Sequence, residues 1–137
     1  FCWGVQYGLA ENNRILDNTG QGLSIGHRDH YNVIRNNEIA GSGETGVLFR
    51  PERGEGFTPT GNLLEENRIR DNGPDNGAAV DFQGITAGNT LANNEVIETR
   101  GPASRVGIRI GEECGENTFT DNRIEGFATP MEDKRRA

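Results

Sequence analysis

Asn62-Leu63-Leu64-Glu65-Glu66-Asn67-Arg68-Ile69 is one copy of a frame, Asn-x-apolar-x-x-Asn-x-Ile/Val, that recurs along the chain. The frame returns as Asn32-Val33-Ile34-Arg35-Asn36-Asn37-Glu38-Ile39, Asn89-Thr90-Leu91-Ala92-Asn93-Asn94-Glu95-Val96 and Asn117-Thr118-Phe119-Thr120-Asp121-Asn122-Arg123-Ile124. A first, degenerate copy, Gly8-Leu9-Ala10-Glu11-Asn12-Asn13-Arg14-Ile15, lacks only the leading Asn. Copies beginning at 8, 32, 62, 89 and 117 are spaced by 24, 30, 27 and 28 residues. A fixed frame at such intervals marks a solenoid, in which each repeat buries its apolar residues only against its neighbours.

Between successive copies lies a second frame, Gly/Ala-apolar-x-apolar: Gly22-Leu23-Ser24-Ile25, Gly46-Val47-Leu48-Phe49, Ala79-Val80-Asp81-Phe82 and Gly107-Ile108-Arg109-Ile110. Measured between the two frames, the basic turn is 24 residues, and the longer turns carry insertions of 6, 3 and 4 residues at corners. Apolar residues alternate within each frame, which is the period of a strand, while Gly, Asn and Asp gather between frames as turn residues. Two or three short strands per turn, each stacking on its equivalent, make an all-β parallel β-helix of about five turns. The repeats span 1–126, and 127–137 reads as a C-terminal cap or tail: Phe127–Met131 folding over the last turn, then a charged, solvated Glu132–Arg136.

The 137 residues suffice for one domain. Hydrophobic content is only 32 % and Gly is frequent at 20. A thin core shared between stacked turns needs fewer apolar residues than a globule does. The net charge of −7 argues against nucleic acid and anionic membranes as main partners, and no stretch approaches the roughly 18 apolar residues of a membrane span. Cys2 and Cys114 fall about four turns apart, roughly 19 Å at strand spacing, beyond the reach of a disulfide.

The two frames resemble the right-handed parallel β-helix repeats of the pectate-lyase-like superfamily over residues 8 to about 125. The resemblance implies a secreted or periplasmic domain that engages polysaccharide or oligosaccharide, acidic ones included, either by binding alone or as a lyase, epimerase or hydrolase. It also implies that Asn13, Asn37, Asn67, Asn94 and Asn122 stack as a ladder inside a bend. The leading row Asn32, Asn62, Asn89 and Asn117 reads as turn chemistry. Departures are plain: no Lys precedes Lys134, and neither a Gly-His-Gly nor an Asp-Pro-His motif is present.

In such folds the outer sheet carries the active groups. Here that face presents Arg50, Asp81 and Arg109, with arginines suited to a uronate carboxylate and Asp81 suited to act as a base or calcium ligand. A second cluster is the corner Gly26–Tyr31, holding His27, Asp29 and His30, beside the insertion Arg50–Thr60 with Glu52 and Arg53. Candidates for catalysis are Asp81, Arg109, Arg50 and His27; candidates for substrate binding add His30, Glu52 and Arg53. Charged corners are also commonly passive and solvated. No cofactor is required. Calcium is the ion that Asp71, Asp75 or Asp29 would suit, and the turn Asp71–Gly77 lacks the distal Glu of a calcium loop; zinc on His27, Asp29 and His30 is the weaker metal reading. A rival reading makes the chain a structural module that forms homo-oligomers through its exposed coil ends.

Overall fold

The structure, a computed structural model, describes residues 1–135. The first turn contributes β1 (Leu9–Glu11), β2 (Arg14–Leu16) and β3 (Gln21–Ile25); the second β4 (Val33–Arg35), β5 (Glu38–Ala40) and β6 (Thr45–Phe49). The third supplies β7 (Leu63–Glu65), β8 (Arg68–Arg70) and β9 (Ala78–Phe82), the fourth β10 (Thr90–Ala92), β11 (Glu95–Ile97) and β12 (Val106–Ile110). A fifth adds β13 (Thr118–Thr120), β14 (Arg123–Glu125) and β15 (Thr129–Asp133). Equivalent strands pair in parallel into three five-stranded sheets, β1-β4-β7-β10-β13, β2-β5-β8-β11-β14 and β3-β6-β9-β12-β15. The register Leu9↔Val33↔Leu63↔Thr90↔Thr118 reproduces the spacing read from the frames. Among the described residues no helix is long and apolar enough to cross a membrane.

Inward residues form columns down the coil: Leu23, Val47, Val80 and Ile108; Ile25, Phe49, Phe82 and Ile110; and the frame residues Ile34, Leu64 and Leu91, with Ile39, Ile69 and Val96. The Phe49 and Phe82 rings stack at 4.2 Å, and Phe119 meets Phe82 edge-on. The small first position of the second frame has a steric cause. A Cβ at Gly22 would stand 2.5 Å from Ile39 Cγ2 and 2.8 Å from the Gly46 carbonyl.

The row Asn13–Asn37–Asn67–Asn94–Asn122 is a ladder in which each backbone N–H and each Nδ2 donates to Oδ1 of the Asn one turn on. The leading row behaves the same way and is more than turn chemistry: Asn32, Asn62 and Asn89 are buried and donate from N and Nδ2 to the next Oδ1. Both bends turn inward, so their polar groups lose water and must find each other. The left-handed backbone does not fall on the ladder residues but one position earlier, at Asn12, Asn36, Glu66, Asn93 and Asp121, with φ near 55°. That offset explains the Asn-Asn pairs, since Asn is among the few residues that adopt this conformation at low cost. Glu66 is the misfit. Glu66→Asn is expected to raise stability by up to about 1 kcal/mol, read as a higher denaturant midpoint.

The last turn differs from the sequence expectation. Thr129–Asp133 is not a cap laid over the coil but the fifth strand of the third sheet, with Ile108↔Met131, Arg109↔Glu132 and Ile110↔Asp133 in register. The charged residues Glu132–Arg135 remain at the surface, as expected, and pair there: Glu132 with Arg109 and Lys134, Asp133 with Arg135; Arg136 lies outside the described residues. Hydrogen bonds from the Arg135 side chain and amide hold the Asp133 carboxyl at about 2, below its ordinary 3.8. A carboxyl depressed in the fold stabilises above its ordinary value and loses that contribution as pH falls from 3.8 through about 2. A carboxyl-carbon NMR titration should show a midpoint near 2 for Asp133, moving back toward 3.8 in Arg135→Ala.

Candidate functional site

The outer face of the third sheet carries one column, Ser24, Leu48, Asp81, Arg109 and Glu132, set by strand register. Arg50 belongs to the neighbouring column, in line with Gly26 and Gln83 beyond the strand ends. Its guanidinium turns toward the first turn, over Gly26, where a Cβ would collide with it. There it donates to Ser24 Oγ at 2.7 Å and to the Phe1 carbonyl at 3.2 Å, and faces Asp29 and Glu52. The row expected from sequence therefore splits. Asp81 and Arg109 stay together, and Arg50 joins the histidine corner.

That corner is organised by Asp29, which is fully buried and accepts from the amides of Val5 and Gly26 at 3.0 and 2.8 Å. Its carboxylate holds the turn and leaves little for a metal ion. His27 lies between Trp3 at 4.7 Å and Phe57 at 5.2 Å, tilted against both rings, with Nδ1 3.7 Å from Glu52. Arg28 and Arg53 lie over the Phe57 ring, and His30 Nε2 meets the Thr58 carbonyl at 3.0 Å. His27, Asp29, Arg50, Glu52 and Arg53 do share one side, as the insertion predicts. Arg50 pairs with Asp29 and Glu52, and Arg53 rests on the Phe57 ring.

Asp71 and Asp75 sit apart from this corner, where the three- and four-residue insertions meet. Burial pushes the Asp71 carboxyl up, but the Thr99 amide and hydroxyl outweigh it and hold it low. Asp75 pairs with Arg105 at 2.7 Å, and the buried Glu98 takes Arg100 and Arg105. Among the described residues no three His, Cys, Asp or Glu side chains converge on a metal position.

A concavity opens on the outer face between the third and fourth turns. It encloses about 450 Å³, with Asp81, Gln83, Arg109, Glu112, Glu113 and Lys134 as its polar wall and Phe82, Gly84 and Gly111 as its floor. Asp81 is only 8 % exposed. Gln83 Nε2 donates to Asp81 Oδ2 at 3.0 Å, and among the described residues Oδ1 accepts nothing. Arg109 Nε donates to Glu132 at 2.9 Å, and Lys134 approaches the same oxygen at 3.6 Å. Beneath the floor, burial pushes the Cys114 thiol up, and its Sγ donates to the Phe82 carbonyl. A second cleft of about 470 Å³ adjoins the first through Glu113 and runs under the insertion past His30, Glu55 and Thr58.

Sequence reasoning finds Asp81 and Arg109 but misses Gln83, Glu112, Glu113, Glu132 and Lys134. The only signal for the last two is the spacing of Pro130-Met131 from Gly107-Ile108, which Asp133 obscures by standing where the frame calls for an apolar residue.

Residues 1–129 match the family described as the right handed beta helix region. The chain belongs to that family. Three parallel sheets, strand-to-strand crossovers of a full turn and inward Asn ladders are the architecture that the match describes. Comparisons with curated proteins and with solved structures give no match. For this right-handed β-helix, activity must be argued from its own side chains, because the fold carries many unrelated functions.

Proposed function

We propose that this β-helix is a secreted or periplasmic polysaccharide-binding domain whose ligand lies in the cleft on the outer face of the third sheet. The observation that carries the reading is Asp81, a buried carboxylate with one oxygen held by Gln83 and the other unspent toward the cleft. Carboxylates, an amide and a guanidinium around a backbone floor suit sugar hydroxyls, which both donate and accept. The charge balance favours a neutral, hydroxyl-rich chain over a polyuronate. Asp81, Glu112 and Glu113 face the cleft, while both of its cations already share Glu132, and like charges brought together cost binding.

Calorimetric titration with neutral oligosaccharides, and with oligogalacturonate as the acidic comparison, tests this. Asp81→Ala is expected to weaken binding of the preferred glycan about 10-fold or more, the cost of losing a hydrogen bond to a charged group, with the circular dichroism of the coil unchanged. Equal affinity in wild type and Asp81→Ala would remove the cleft from the account.

A further inference from the structure

The turn Gly111–Cys114 sets two acids out between the two clefts. The Cys114 amide closes it on the Gly111 carbonyl at 3.2 Å, and the buried thiol pins it to the Phe82 carbonyl at 3.4 Å. The residues between them, Glu112 and Glu113, stand exposed at the tip. Both line the first cleft, and Glu113 also lines the second, to which Glu55 belongs. Among the described residues none of these three acids forms an ion pair, and neither does Asp81. Asp81 lies deeper, 8 % exposed, with Oδ2 on the Gln83 amide and Oδ1 without a donor.

The cations of the clefts do not answer these acids. Arg109 and Lys134 both lie against Glu132, at 2.9 and 3.6 Å, and the second cleft is lined by neither Lys nor Arg. Clefts walled by one sign of charge concentrate the other. The acids do not gather on one ion, since no three of the described His, Cys, Asp or Glu side chains converge on a metal position. Acids spread along a face suit positive charges spaced along a chain. A buried carboxylate oxygen without a donor gains most from a charged one, because charge-assisted hydrogen bonds are the stronger kind. The floor at Phe82, Gly84 and Gly111 is backbone, a flat bed that a pyranose ring covers and a flexible basic side chain does not.

We propose that the glycan taken by the first cleft carries free amino groups: it is an oligosaccharide of aminohexose units, with one ammonium on Asp81 and others along Glu112 and Glu113. This rests on the glycan reading of the same cleft and assigns the glycan its charge. The order of preference is amino sugar, then neutral sugar, then uronate.

The test is calorimetric titration of the whole chain with hexasaccharides of glucosamine and of galactosamine, each beside its fully N-acetylated counterpart. The preferred amino form is expected to bind about 10-fold or more tightly than its N-acetylated counterpart, with the difference shrinking as salt is raised. Replacing both acids of the turn, Glu112→Gln with Glu113→Gln, should weaken the amino form more than the N-acetylated form. Glu95→Gln, on the second sheet, should change neither. Equal or tighter binding of the N-acetylated forms overturns the assignment and leaves the glycan cleft standing, whereas no binding of any oligosaccharide overturns both. A lysine hexapeptide that binds as tightly as the amino sugar also overturns it, because charge alone would then be what the cleft reads.

Discussion

Asn67→Leu is expected to lower stability by roughly 3–5 kcal/mol, from two to three buried polar groups each losing a partner at about 1–3 kcal/mol. Asn67 Oδ1 accepts from the Asn37 amide and from Asn37 Nδ2. Its own Nδ2 donates to the Ile34 carbonyl and to Asn94 Oδ1. Leucine is close in volume, so little cavity is created and the loss isolates the polar ladder. The Asn37 amide is left buried without a partner, the Ile34 carbonyl and Asn37 Nδ2 each lose one, and no water reaches a residue that is 1 % exposed. Because each turn contacts only its neighbours, the damage falls on the joints between the second, third and fourth turns. Chemical denaturation should show the lower midpoint, and hydrogen exchange should show protection lost first at residues 34–39 and 62–69. An effect below about 1 kcal/mol, the size of an ordinary surface change, would mean that the ladder is ornamental and that the apolar columns alone hold the turns.

Phe82→Ala is the complementary experiment on the apolar side, expected to cost about 3–5 kcal/mol for loss of a buried aromatic and the cavity left behind. Phe82 is the middle of the Phe49–Phe82–Phe119 stack and is wholly inaccessible to solvent. Its carbonyl also receives the Gly111 amide and the Cys114 thiol, which shape the floor of the cleft. Glycan affinity should therefore fall together with stability, whereas Asn67→Leu, on the opposite bend, should leave the affinity of the folded protein unchanged. A Phe82→Leu variant, which keeps most of the volume, should recover the larger part of both losses.

The coil was legible in the sequence because its physics is periodic. Each turn repeats the same inward residues, so spacing alone places Val47 on Val80 and Asn37 on Asn67. The insertion at 50–60 was equally plain by subtraction, and so was its contact with the His27–His30 corner. What spacing does not show is where a long side chain goes. Arg50 and Arg109 look alike as exposed residues on one sheet, yet Gly26 opens a berth that draws Arg50 to Asp29, and Glu132 draws Arg109 the other way. Nor does it show which Asn rows are buried, since Asn suits an exposed turn and a dry ladder equally well. The last strand was hidden because polar Asp133 replaces the apolar residue of the frame. With it went Lys134 on the rim of the cleft and Glu132, which pairs with Lys134 and Arg109.

The most direct test of the central claim, that the outer face of the third sheet binds glycan, is an NMR titration of the isotope-labelled chain with the neutral oligosaccharide of highest affinity. The account predicts chemical-shift changes confined to the Asp81–Gly84 and Arg109–Glu113 segments and Lys134, with the Gln83 side-chain amide among the largest. Shifts centred instead on the His27–Phe57 corner, or absent at every glycan concentration, would contradict it.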